Sequence, residues 1–117
     1  MTSINLSHDE QKALQAYVGA LAERFGPRLL EVLLFGSKAR NEARPDSDID
    51  VAVILDRPSS EDLSEARGLT FDIWLAYEVL ISVRAMSQQG WEELGRLQSL
   101  FYRNLKRDGV SLLSGAA

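Results

Sequence analysis

The sequence has 117 residues, of which 45% are hydrophobic and 26% charged, the balance of one globular domain over residues 1–117. It contains no cysteine, which excludes disulfide scaffolds, thiol nucleophiles and cysteine-ligated metal sites. The net charge of -4 argues against a surface that binds nucleic acid nonspecifically, and no uncharged apolar run reaches the ~20 residues of a membrane span.

The predicted elements begin with a helix over residues 7–25, which opens with the capping box Ser7-x-x-Glu10. The apolar run 29–35, bounded by Pro27 and Gly36, predicts a buried strand. A polar loop separates it from a second strand over 48–55. The remaining predicted elements are a helix from about residue 60, a strand over 77–86, a helix over 88–96, a last helix ended by Gly109, and a final strand over 110–113.

This order of elements predicts an α+β fold, with a small mixed β-sheet and helices packed on one face. In the second strand, alternation sends Ile49 and Val51 toward the core and Asp48 and Asp50 toward the other, open face. The Cα atoms of the two aspartates then lie roughly 6.6 Å apart, so both carboxylates can reach one cation. Carboxylate oxygens favour Mg²⁺, which substrate phosphates usually help to coordinate.

A phosphate-binding turn is predicted directly after the first strand. Gly36 allows close approach of the backbone to an anion, and Ser37 offers an N–H and a hydroxyl donor. Lys38 and Arg40 follow and can neutralise phosphate oxygens. A Gly-Ser turn and an Asp-x-Asp pair are each common alone, but their combination points to a magnesium-loaded triphosphate.

The run LFGSKARNEARPDSDIDVAV resembles the signature of the minimal nucleotidyltransferases of the DNA polymerase β superfamily. The resemblance implies a polymerase β-like fold and Mg²⁺-dependent transfer of a nucleoside monophosphate, with ATP the expected donor. It implies catalytic and metal-binding roles for Asp48 and Asp50, and nucleotide binding by Gly36 and Ser37. Small members of this family are often antitoxins that bind, and in some cases adenylylate, a helical HEPN-domain toxin.

The family pattern has a third acid on a later strand, which can act as base toward the acceptor. In the predicted strand 77–86, Glu78, Leu80 and Ser82 face away from the core. If the family position aligns with Leu80, the acid is missing. Glu78, one step back on that face, is then either the replacement, which makes it the third candidate catalytic residue, or a plain charge at the start of the strand.

Three functions remain open from the sequence. The first is a cytoplasmic nucleotidyltransferase that modifies a hydroxyl on a HEPN-type partner toxin and acts as its antitoxin. The second is a catalytically impaired antitoxin that neutralises the toxin by binding alone. The third is a nucleotide-binding domain without transfer activity. Association with itself or with the partner is compatible with each of them.

Overall fold

The computed structural model describes residues 6–36, 38–39 and 48–113. Within them, four helices and four strands follow one another along the chain: α1 (His8–Phe25), β1 (Leu29–Phe35), β2 (Ile49–Leu55), α2 (Ser60–Tyr77), β3 (Ile81–Ser87), α3 (Gln88–Arg96), α4 (Leu100–Asp108) and β4 (Val110–Ser111). A short 3₁₀ turn, Gly26–Arg28, joins α1 to β1.

The four strands form one mixed sheet in the order β3-β2-β1-β4. Strand β1 runs antiparallel to β2 and β4, whereas β2 runs parallel to β3. Parallel pairing requires a crossover, and α2 provides it. The arrangement confirms the predicted α+β fold class with a small mixed sheet.

Helices α1 and α2 cover one face of this sheet. The core between them contains alternate residues of the central strands, among them Val32, Val51 and Val53, all without solvent exposure. Tyr17 of α1 packs in the same core, and its hydroxyl donates a hydrogen bond to the carbonyl of Ala66 in α2 at 2.6 Å. This bond ties the two helices together beneath the sheet.

Side-chain caps fix where the helices begin. Ser7 and Glu10 form the predicted capping box at α1, and Ser59 forms a second one with Asp62 at α2. Each box satisfies two backbone N–H groups that a helix start otherwise leaves without partners. Ser87 caps α3, which spans the residues predicted for this helix. Among the helices of the described ranges, none is both long and apolar enough to cross a membrane.

Two details of the predicted fold are corrected. Helix α2 continues to Tyr77 and β3 begins only at Ile81, so the prediction of a strand over 77–86 is wrong at its start. Helices α3 and α4 also lie over the second face of the sheet, where the Phe101 ring packs edge-on against Phe35 with ring centroids 5.4 Å apart. The apolar residues of α4 need a surface to pack on, and this face of the sheet provides it.

Candidate active site

One residue of the predicted phosphate turn and one aspartate of the predicted metal pair meet in the structure. Phe35, the last residue of β1, pairs with Asp50 of β2, so Gly36 lies directly beside the Asp50 carboxylate. A Cβ atom added to Gly36 would come 3.2 Å from Cγ of Asp50 and still nearer to its Oδ2. Gly36 also has a φ of +76°, which favours glycine. Only a glycine therefore fits this position without displacing the carboxylate.

Asp48 and Asp50 flank the fully buried Ile49 at the start of β2. The backbone hydrogen bonds between β2 and the segment that contains β3 extend to this end of β2, since the Ile49 N–H donates to the carbonyl of Leu80 at 3.3 Å. Strand alternation therefore directs both carboxylates away from the core. Asp48 is exposed and Asp50 is half-buried, so this end of the sheet is open to a ligand.

The parallel register of β2 and β3 shows which residues stand beside the aspartates. Ser82 is the neighbour of Asp50, and Arg84 is the neighbour of Ala52, one step further along the same face. Leu80, just before β3, is 58% exposed. The residues of this segment that stand nearest to the aspartates are therefore a leucine and a serine, neither of which is an acid.

Glu78 does not lie on β3. It ends α2 in a left-handed backbone conformation, with φ 57° and ψ 34°, and its side chain is exposed. The prediction that placed Glu78 on the same face as the aspartates depended on strand alternation from residue 77, which the longer helix removes. Within the described residues, no cluster of three or more acidic or histidine side chains forms a complete metal site.

Lys38 points into the protein in this structure. Its side chain is 2% exposed, and its Nζ lies 2.8 Å from Oε2 of Glu10 in α1. Glu10 in turn accepts a hydrogen bond from the Ser7 N–H at 2.9 Å through its other oxygen. Burial favours a higher pKa for Glu10, but the hydrogen bonds from Lys38 and Ser7 together lower it below its ordinary value. The ammonium predicted to contact phosphate is here held by a carboxylate.

Two further residues of the predicted nucleotide site, Ser37 and Arg40, lie outside the described residues. Sequence reasoning did not single out Arg84, an exposed cation on the aspartate face of the sheet. Its guanidinium stacks 5.1 Å from the centroid of the Phe101 ring. The alternation of β3, once its start is known, is the signal that places Arg84 on this face.

Comparison with known proteins identifies the class. Residues 14–104, well over half of the chain, match the model of the nucleotidyltransferase domain family. The chain therefore belongs to the nucleotidyltransferase domain family, of the minimal, polymerase β-like type that the motif resembles.

Individual relatives agree with this assignment. The chain is 29% identical to a curated relative from Methanocaldococcus jannaschii named "Putative protein adenylyltransferase MJ0604", over 86% of this chain and 95% of that protein. It matches the fold of a "putative nucleotidyltransferase from Sulfolobus solfataricus" with a TM-score of 0.54 and 22% identity, covering 86% and 76% of the two chains. A solved toxin-antitoxin structure with AMP-PNP matches equally well, with a TM-score of 0.54 and 20% identity over 84% of this chain and 71% of that one.

Proposed function

We propose that this chain transfers AMP from ATP to a hydroxyl group of a partner protein, and that it acts in this way as an antitoxin. The observation that carries the proposal is the contact between Gly36 and the Asp50 carboxylate. A backbone turn suited to phosphate and a pair of carboxylates suited to Mg²⁺ stand close enough to hold one triphosphate between them.

The donor set fits magnesium. Asp48 and Asp50 supply hard oxygen ligands from one end of β2, on the open side of the sheet. A magnesium ion held there would neutralise charge on the triphosphate and on the transition state. Water and substrate phosphate oxygens would complete the coordination, as is usual for this ion.

The residues of the chain orient the donor for an in-line displacement. In the proposed reaction the turn after β1 binds phosphate oxygens through its backbone, and Arg84 lies on the same face of the sheet with its guanidinium stacked on Phe101. The acceptor oxygen forms a bond to the α-phosphorus, the bond from that phosphorus to the bridging oxygen breaks, and pyrophosphate leaves. The hydroxyl proton passes to solvent at this exposed end of the sheet.

The relatives supply the support for a protein acceptor and a toxin partner. One relative is named as a protein adenylyltransferase, and one structural match is a toxin-antitoxin assembly with a nucleotide analogue. A helical HEPN-domain toxin is the partner that the sequence resemblance implies. A cytoplasmic location follows from a partner and a donor of this kind.

Labelling with ATP that carries a radioactive α-phosphate tests the proposal. Purified protein, Mg²⁺ and the product of the adjacent gene are incubated together, and the label is followed on each protein. We expect the partner to be labelled by the wild type, and labelling to fall at least about 100-fold with Asp50→Asn. Asp72→Asn, which changes an exposed acid of α2, is the matched control and should label normally. Absence of label on both proteins, or equal labelling by Asp50→Asn, contradicts the proposal.

A second candidate function is neutralisation by binding alone. The observation that favours it is the neighbour of Asp50 on β3, which is Ser82 rather than an acid. An antitoxin of this kind keeps its partner inactive when Asp48 and Asp50 are both changed to Asn. Toxin activity measured with the double variant therefore separates the two functions, because the enzyme loses protection and the binder retains it.

A further inference from the structure

Strand β3 carries an arginine on the same face of the sheet as the two aspartates. In the register of β2 and β3, Ser82 stands beside Asp50, and Arg84 follows two residues later beside Ala52. Strands lie about 4.8 Å apart and rise about 3.3 Å per residue, so the Cα atoms of Asp50 and Arg84 are roughly 8 Å apart on the diagonal. Long side chains reach across a diagonal of this length. An anion held at Asp50 is therefore within reach of Arg84.

Two aromatic rings orient the guanidinium of Arg84 over this face. Its Cζ lies 5.1 Å from the centroid of the Phe101 ring. Phe101 packs edge-on against Phe35, the residue before Gly36, with ring centroids 5.4 Å apart. Stacking on a ring holds a guanidinium in place without using its N–H groups, which stay available to an anion. The contacts of Arg84 therefore lead toward the phosphate turn.

The charge of Arg84 is not used by another side chain. Arg84 is exposed, and no carboxylate of the described ranges forms an ion pair with it. Lys38, in contrast, is bound to Glu10. A nucleoside triphosphate carries more negative charge than one Mg²⁺ ion neutralises, and the aspartates add to that charge. A cation on this face would balance part of it.

The direction of the proposed reaction determines which phosphates lie near Arg84. An in-line displacement needs the acceptor oxygen and the leaving oxygen on opposite sides of the α-phosphorus. A protein acceptor enters from the open end of the sheet, where Asp48 is exposed. The leaving pyrophosphate then extends along β2 away from that end, toward Ala52 and its neighbour Arg84.

We propose that the guanidinium of Arg84 binds the β- and γ-phosphates of the donor, so that the site selects nucleotides with a terminal pyrophosphate group. As the acceptor oxygen bonds to the α-phosphorus, the bond from that phosphorus to the bridging oxygen breaks and its electron pair stays on the bridging oxygen. The N–H groups of Arg84 donate to the charge that develops on the leaving pyrophosphate. This inference rests on the proposed transfer reaction.

Calorimetric titration with Mg²⁺ and two probes tests the role of Arg84. The probes are inorganic pyrophosphate and the ATP analogue with a methylene group between the α- and β-phosphates. Arg84→Met keeps the apolar length of the side chain, and we expect it to weaken the binding of both probes about tenfold. Arg84→Lys should recover part of this loss, because an ammonium keeps the charge but not the forked geometry. Arg67→Met, at an exposed arginine of α2 on the opposite side of the sheet, is the matched control and should bind both probes as the wild type does.

A third measurement separates phosphate binding from a structural role. Binding of Mn²⁺ alone, followed by electron paramagnetic resonance, reports on the aspartate pair and should not weaken in Arg84→Met. Weaker Mn²⁺ binding in that variant, or an equal loss of probe binding in Arg67→Met, overturns the proposal. Wild-type affinity of Arg84→Met for both probes also overturns it, and leaves the proposed function intact if Asp50→Asn loses them. If the wild type binds neither probe, the proposed function itself fails.

Discussion

Replacing Glu10 by Gln removes the negative partner of a buried ammonium. Lys38 is 2% exposed and its Nζ lies 2.8 Å from Glu10, so Glu10→Gln leaves a cation in the interior without a carboxylate. Gln retains an oxygen that can accept the hydrogen bond from the Ser7 N–H, which preserves much of the helix cap. Removal of one partner of a buried ion pair costs about 3 kcal/mol in the free energy of unfolding.

Three further variants separate the ion pair from the cap. Lys38→Met removes the ammonium but leaves Glu10 bonded to Ser7 and near solvent, at a cost of about 1 kcal/mol. The double variant Glu10→Gln/Lys38→Met should be close to Lys38→Met alone, because no unpaired charge remains. Ser7→Ala is the control for the capping box and should cost about 1 kcal/mol without involving Lys38.

Urea denaturation followed by circular dichroism measures these free energies. If Glu10→Gln costs no more than Ser7→Ala, and the double variant equals the sum of its single variants, Lys38 is not held by Glu10 in the interior. Binding of Mg·ATP by the folded Lys38→Met variant gives a second readout. A change in Mg·ATP affinity within about threefold is the result expected for a buried ammonium. A loss of affinity of tenfold or more would instead indicate that Lys38 contacts phosphate, as the sequence predicted.

Three other predictions follow from single contacts. Gly36→Ala should lower the free energy of unfolding by about 2 kcal/mol or more and abolish nucleotide binding. Gly26→Ala is the control: Gly26 has a φ of +57° but open space where a Cβ would lie, so this variant should show only the backbone cost of about 1 kcal/mol. The hydrogen bond from Arg28 is the main cause that lowers the pKa of Asp62 to about 2, so the stability that Asp62 contributes is present above about pH 4 and is lost as the pH falls toward 2. The melting temperatures of the wild type and Asp62→Asn should therefore converge near pH 2. A difference that stays constant with pH contradicts this prediction. Tyr17→Phe removes a buried hydrogen bond and should lower the free energy of unfolding by about 1 kcal/mol. Tyr77→Phe, at a partly exposed tyrosine, should show no measurable loss in the same denaturation assay. Equal losses for the two variants would refute the role of the Tyr17 hydrogen bond.

The parts of the fold that local signals specify were predictable. Strand β1 is bounded by Pro27 and Gly36 and was predicted at its observed residues. The start of α1 follows from the Ser7–Glu10 capping box. Such signals depend on the backbone chemistry of a few neighbouring residues, which the sequence displays directly.

The start of β3 was not predictable in the same way. Tyr77, Val79 and Ile81 alternate with other residues as in a strand, yet Tyr77 ends a helix and Ile81 starts the strand. A short apolar segment is compatible with both structures, and here the packing of α2 against the core decides between them. This difference affects the candidate site, because Glu78 does not lie on the face of the sheet on which it was predicted.

The role of Lys38 illustrates a second limit. Its position two residues after Gly36 suggested a phosphate contact, but its side chain instead reaches Glu10, which is 28 positions earlier in the chain. No local pattern connects these two residues, since the contact exists only once α1 has packed against the sheet. By contrast, the motif that contains Gly36 and Asp50 predicted that the turn after β1 lies beside the strand that carries Asp50. The register of β1 and β2, in which Phe35 pairs with Asp50, shows this arrangement.

The most direct test of the central claim is calorimetric titration with the ATP analogue in which a methylene group replaces the oxygen between the α- and β-phosphates, which prevents transfer. Binding should require Mg²⁺ and should weaken at least about tenfold when Asp50 is changed to Asn. Binding of the same strength without Mg²⁺, or with Asp50→Asn, would contradict a site built from this carboxylate and the Gly36 turn.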